Sequence, residues 1–223
     1  MVIENTGVTI QEYIDTHINQ YNSQFTKKII ISILYFLKKI KQIGLIMTNI
    51  DWSNIFICKN SGVKFISLED MIFLNEKPRR VFNNSAPEIH FNSKVDFQSD
   101  MWQIGCLLYK LVTKKDLYSF ENISENLSKA LLINKSNNYF IFKDDSNYSN
   151  LIIGNGCCYS KVNQKDIDIL VTIPKKNVDP LSELSSLENG HLIIDFIRRC
   201  IQVDPYHRLS VDNAIQHPFI LSK

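Results

Sequence analysis

No run of apolar residues in this 223-residue chain is long enough to cross a bilayer. The longest, Ile29 to Leu37, is broken by Ser32 and flanked by lysines. A disulfide or metal framework is absent too. The five cysteines, Cys58, Cys106, Cys157, Cys158 and Cys200, form no Cys-x-x-Cys pair and no Cys/His ligand spacing. An odd count without a framework reads as reduced thiols and an intracellular setting, cytoplasmic or nuclear. The first residues show no basic segment followed by an apolar stretch, so no leader is expected. Charge of one sign is also lacking. Lys and Arg number 25, Asp and Glu 23, and the net charge of +2 is scattered, which gives no electrostatic case for nucleic acid.

What is present suits one globular domain: 44% apolar and 22% charged residues. Thr9 followed by Glu12 reads as a capping box opening a helix at Ile10–Ile14. From Ser23 to Ile43, apolar Phe25, Ile29, Ile33, Phe36, Leu37 and Ile40 recur at three and four, with lysines between them, and Gly44 stops the helix. Asn54–Ile57 and Val63–Ile66 read as strands joined by a Lys59–Gly62 turn. Residues 67–88 read as an ordered loop. Ser99–Val112 is a helix apolar on most faces and therefore buried. Further helices are expected at Ser124–Ile133, His191–Gln202 and Val211–His217. Residues 134–180, rich in Asn, Ser, Lys and Asp, read as an insertion, partly disordered or partly β. The fold class is mainly α with a small β element.

Three motifs stand in order. They are Ser85-Ala86-Pro87-Glu88, then Asp100 with Trp102-Gln103-Ile104-Gly105, then Asp204-Pro205-Tyr206-His207-Arg208, and His217-Pro218-Phe219 closes the series. Together they resemble the large, C-terminal lobe of a eukaryotic protein kinase. The resemblance covers 1–223. It implies that residues 1–7 are the last small-lobe strand and the hinge, where backbone at Ile3 and Glu4 would meet adenine. It implies that Asp100 braces the catalytic loop, and that Glu88 and Arg208 form the lobe's buried ion pair. These three would be structural residues.

The chemistry departs from the family. Where kinase catalytic loops read His-Arg-Asp-Leu-Lys-Pro-x-Asn, this chain has Met47-Thr48-Asn49-Ile50-Asp51-Trp52-Ser53-Asn54. Asn49 takes the position of the catalytic Asp, and a neutral amide cannot accept the substrate proton. Loss of a general base costs ~10²–10⁴ in rate. Asp51 takes the position of the loop Lys. Asn54 is retained, and an Asn before a strand also caps turns through its side chain. Ser67-Leu68-Glu69 falls where the metal-binding Asp-Phe-Gly belongs, and Ser67 brings no charge for Mg²⁺, which leaves Glu69 and Asp70, two and three residues off register, as the carboxylates that a rearranged loop would bring in. The Gly-rich loop, strand Lys and partner Glu belong to a small lobe that the chain is not expected to contain.

The reading is therefore an inactive kinase-like domain acting as a scaffold or allosteric regulator. It takes no cofactor, and its partner is a protein, either an active kinase or a second copy, with no membrane or nucleic acid. The alternative is a divergent or truncated Ser/Thr kinase that transfers the γ-phosphate of ATP with Mg²⁺, Asp51 or Glu69 being repurposed.

Overall fold

The computed structural model describes residues 7–17, 22–57, 62–66, 68–90, 95–118, 129–130, 133, 140–141, 151–154, 157–162, 165–167 and 179–222. Helix α1 (Ile10–His17) starts at a reciprocal capping box. Thr9 N–H donates to Glu12 Oε2 at 2.8 Å, and Glu12 N–H donates to Thr9 Oγ1 at 3.0 Å. Helix α2 (Ser23–Gln42) is capped by Asn22, whose Oδ1 accepts the Phe25 N–H, and the chain leaves it through Gly44 at φ +75°. Its Ile29, Ile30, Ile33, Leu34 and Leu37 are buried, as the three-and-four spacing requires.

Strands β2 (Ile55–Ile57) and β3 (Val63–Phe65) form the expected antiparallel pair. Two elements were not legible. Strand β1 (Leu45–Ile46) pairs with β4 (Ile72–Phe73), which lies within the stretch read as loop. A 3-10 turn, Leu68–Asp70, precedes β4. Two-residue strands are too short to show an alternation, so they leave no trace in the sequence.

Helix α3 (Pro87–His90) leads to α4 (Phe97–Thr113), the longest buried element, which starts at Asp96 and packs against α2, β1 and α5 (Gly190–Cys200). Gly105 permits the last contact, since a Cβ there would stand 2.8 Å from both Cys200 Cβ and Ile201 Cγ2. The core lies between these helices, with Ile33, Trp102, Ile104, Leu108, Ile193 and Phe196 at its centre. Short helices α6 (Val211–Ile215) and α7 (Pro218–Leu221) close the chain against α2 and α5.

Within 134–180, strands β5 (Phe140–Ile141), β6 (Leu151–Gly154), β7 (Cys157–Val162) and β8 (Lys165–Ile167) form an antiparallel sheet in sequence order. Of the helix expected at Ser124–Ile133, only 129–130 and 133 are described, and they are helical. Ile3 and Glu4, expected at the hinge, lie outside the described residues, as do Ser67 and residues 58–61 between β2 and β3. No helix among the described residues is long and apolar enough to cross a membrane.

Candidate functional site

Between β1 and β2 the chain makes a loop, Met47–Asn54, held from below by α4. Asp100 is buried, and its two carboxylate oxygens accept the N–H groups of Met47 and Thr48, each at 2.9 Å. Burial pushes this carboxyl up to about 7, against the two N–H bonds that pull it down. One turn on, fully buried Gln103 clamps the same loop. Its Nε2 donates to the Thr48 carbonyl at 2.6 Å, and its Oε1 accepts the Ile50 N–H at 2.8 Å. Sequence reasoning named Gln103 in its motif but gave it no role. The signal available was a Gln inside a helix otherwise apolar on most faces.

Thr48 sits at φ +60°, a left-handed conformation that a β-branched residue adopts only under constraint. The constraint is visible. Its N–H and carbonyl are held by α4, and its Oγ1 donates to the Asp70 carbonyl at 2.6 Å. Met47 and Ile50 are fully buried under this loop. They add nothing to the apolar surface there, while Ile66, Leu68 and Val81 are exposed.

Asn49 turns its amide to Asp70, with Nδ2 donating to Oδ2 at 3.2 Å. Arg80 Nε stands 3.7 Å from the other Asp70 oxygen. Asp70 is nearly buried although it is three residues past Ser67, so the structure brings a carboxylate to the loop from a position that the motif register does not mark. Asn54 is spent inside the loop. Its Oδ1 accepts the Asp51 N–H at 3.2 Å and its Nδ2 donates to the Asn49 carbonyl at 3.0 Å, a turn cap at both ends.

Asp51 is equally committed. One oxygen accepts the N–H and hydroxyl of Ser53, and the other lies 3.3 Å from Lys110 Nζ on α4. Lys110 also meets Asp116 at 2.7 Å and lies over the Trp52 ring, 4.7 Å from its centroid. Burial pulls the Lys110 ammonium down, but the bonds and charges of Asp116 and Asp51 outweigh it and hold its pKa above the ordinary lysine value.

The loop forms the floor of a cleft of about 660 Å³. Asn49, Asp51 and Asn54 of the loop line it together with Ile66, Val81, Phe82, Asn84, Lys110 and Asp116. Behind the cleft, Glu88 and Arg208 form a bidentate pair at 2.6 and 2.9 Å, with side chains 2% and 0% exposed. Ser99 donates to Glu88, and the remaining Arg208 donors reach the carbonyls of Gln98, Gln202 and Val203. No donor of the pair is wasted, which is the condition for a buried pair to hold.

The family model for the protein kinase domain matches residues 1–220. The chain belongs to the protein kinase domain family. Similar proteins carry kinase names. Serine/threonine-protein kinase ppk5 of Schizosaccharomyces pombe is 24% identical over 164 residues, 72% of this chain and 19% of that protein. A Drosophila melanogaster protein named as a dual specificity tyrosine-phosphorylation-regulated kinase 3 homolog is 24% identical over 216 residues, 90% of this chain and 26% of its own length. A Dictyostelium discoideum protein named serine/threonine-protein kinase dyrk2 is 22% identical over 221 residues, 92% and 22%. The chain thus spans about a fifth to a quarter of these relatives.

Family membership implies ATP and Mg²⁺. Of the residues that would hold them, the hinge and Ser67 lie outside the described residues, and Asn54 is described. Asn54 has turned its oxygen inward, and the cleft's single described cation, Lys110, is held by two carboxylates. Among the described residues no three His, Cys, Asp or Glu side chains gather to hold a metal.

Proposed function

We propose that this chain is the large lobe of a kinase-like domain that binds a protein partner and transfers no phosphate. The observation that carries this reading is the state of the loop. Asn49 offers an amide where the reaction needs a base, and Asp51 has both oxygens committed to Ser53 and Lys110. Neither is placed to take a proton from a substrate hydroxyl. Asp100, Glu88 and Arg208 act structurally, holding the loop and the segment before α4. Exposed Ile66 and Val81 line the cleft and offer the apolar surface that partner-binding faces use.

Asp70 favours a second reading, a divergent Ser/Thr kinase. Its carboxylate lies beside Asn49, close to where a metal-binding carboxylate is needed. One experiment separates the two. The purified chain is incubated with γ-labelled ATP and Mg²⁺ or Mn²⁺, alone and with a general protein substrate. Label at the level of a protein-free blank is expected. Label above it that disappears in Asn54→Ala would overturn the non-catalytic reading. A parallel melt in Mg·ATP should show no saturable rise, whereas nucleotide at 100 times its Kd would add ~2.7 kcal/mol.

A further inference from the structure

Helix α2 carries five lysines and no carboxylate. A solvated helix face ordinarily mixes the two signs, because an acid four residues from a base stabilises the helix. Lys27, Lys38 and Lys41 are committed elsewhere. The first donates to the Ser222 carbonyl at 2.6 Å, and the other two share Asp212 of α6 at 3.2 and 2.9 Å. Lys28 and Lys39 are exposed and pair with no carboxylate among the described residues. The positions four residues away, from which an acid would neutralise them, hold Gln24, Ser32, Tyr35 and Ile43.

Helical periodicity puts Lys28, Ser32, Tyr35, Lys39 and Ile43 in one stripe, opposite the buried Ile30, Ile33 and Leu37. At 1.5 Å per residue the stripe runs about 22 Å. Its two large apolar side chains lie open to water, Tyr35 at 53% exposed and Ile43 at 65%. Past Ile43 the apolar surface continues onto the β1–β4 ribbon. Leu74 N–H donates to the Gly44 carbonyl at 2.8 Å, Phe73 stands opposite Leu45, and both Phe73 and Leu74 are exposed. None of these residues lines the cleft.

Charge and spacing choose the occupant. Nucleic-acid sites commonly engage about 6–10 phosphates, and anionic-lipid segments carry about 4–8 basic residues. Two free ammonium groups, three helical turns apart with Tyr35 between them, are too few for either. They suit discrete carboxylates. We infer that this stripe receives an acidic amphipathic helix of a partner protein. Its carboxylates meet Lys28 and Lys39, and its apolar side chains pack on Tyr35 and on the patch around Ile43. The surface is separate from the cleft and stands whether or not the chain transfers phosphate.

The test is fluorescence anisotropy of the full chain with two labelled helical peptides. One carries leucines at i, i+3, i+4 and i+7 spacing flanked by Glu, and the other has Lys at every Glu position. The Glu peptide is expected to bind about tenfold more tightly than the Lys peptide, and to weaken several-fold as salt is raised. Lys28→Glu with Lys39→Glu should lower its affinity about tenfold, and Tyr35→Ser should lower it several-fold. Both lysines are exposed, so the double variant should melt with the parent. Lys77→Glu with Arg79→Glu, the same change in charge on the segment after β4, should alter binding about twofold at most. Equal affinity for the two peptides, no binding of either, parent-like binding by the double variant, or an equal loss from the control pair would overturn the inference. So would displacement of the Glu peptide by phosphatidylserine vesicles or an oligonucleotide, or a dimer of the parent that the double variant dissolves, since each names another occupant. Phosphate transfer by the chain would overturn the non-catalytic reading instead and leave this surface standing.

Discussion

Asn49 and Asp70 make the loop's chemistry legible at the scale of single side chains. The amide donates to the carboxylate at 3.2 Å, so this is an amide–acid pair where a second acid would have to share a proton. Asn49→Asp is therefore predicted to restore no phosphate transfer and to destabilise the fold. Two adjacent carboxylates raise the folded pKa of the pair above its unfolded value. Stability is then retained at low pH and lost as pH rises through the raised value. The variant should melt near the parent at pH 4 and lower at pH 8, by about 1–3 kcal/mol, since each tenfold change in an acid's ionisation constant on folding is worth about 1.36 kcal/mol. Adding Asp70→Asn should reverse the loss. A variant that melts like the parent at both pH values would show that the pair is not in contact. Of the residues that build this site, Asp100, Glu88 and Arg208 were legible because each sits inside a motif. Asp70, read only as an off-register carboxylate, Gln103, named in its motif without a role, and Lys110 were not legible in their contacts. Their partners lie 21, 53 or 55, and 59 positions away, and no local pattern marks such a meeting.

Helix ends were the most legible elements, because a cap is written in neighbouring residues: Thr9 with Glu12, and Gly44 after α2. The β1–β4 ribbon was not, since its pairing depends on chain geometry over more than twenty residues rather than on local pattern. His217 shows how much one cap can carry. Its Nδ1 accepts the Phe219 N–H at 3.1 Å to start α7, so its Nε2 must carry the proton shared with Asp195 at 3.0 Å. Burial lowers its pKa from 6.5, while the bond to Asp195 and that charge pull it up and Arg199 lowers it further. A depressed folded value means that this stabilisation is full above pH 6.5 and is lost as pH falls through the folded pKa. The contribution of His217 to the melting temperature should be level from pH 8 to 7 and should decline below 6.5, against the opposite slope of Asp100, whose value raised to about 7 favours the fold as pH falls. His217→Asn keeps an acceptor at the cap, worth ~1 kcal/mol, and should remove that decline. If parent and variant share one slope across pH 5–8, another group is responsible.

Across the whole molecule the parts meet on α4. It braces the loop through Asp100 and Gln103, supports Glu88 through Ser99, receives Arg208 at Gln98 and touches α5 at Gly105. Arg208 connects the segment after α5 to this helix at Gln98, 110 positions away, and to Glu88, 120 positions away. Arg208→Ala leaves Glu88 charged and buried, and is predicted to cost ~3–5 kcal/mol, or roughly 6–20 °C in Tm for a domain of this size. Arg208→Lys, with a point charge and three donors, should fall between. Calorimetry on both checks the order, and an alanine variant that melts with the parent would place the pair outside the stabilising core.

The bracing of the loop has a consequence in time as well as in energy. Surface loops ordinarily give up their amide protons through small local openings. Here the Met47, Thr48 and Ile50 amides end on buried acceptors from the first two turns of α4. None of them can exchange until that helix moves. Deuterium should therefore enter all three at one common rate, the slow rate of the α4 interior, and the loop should exchange as though it were part of that helix.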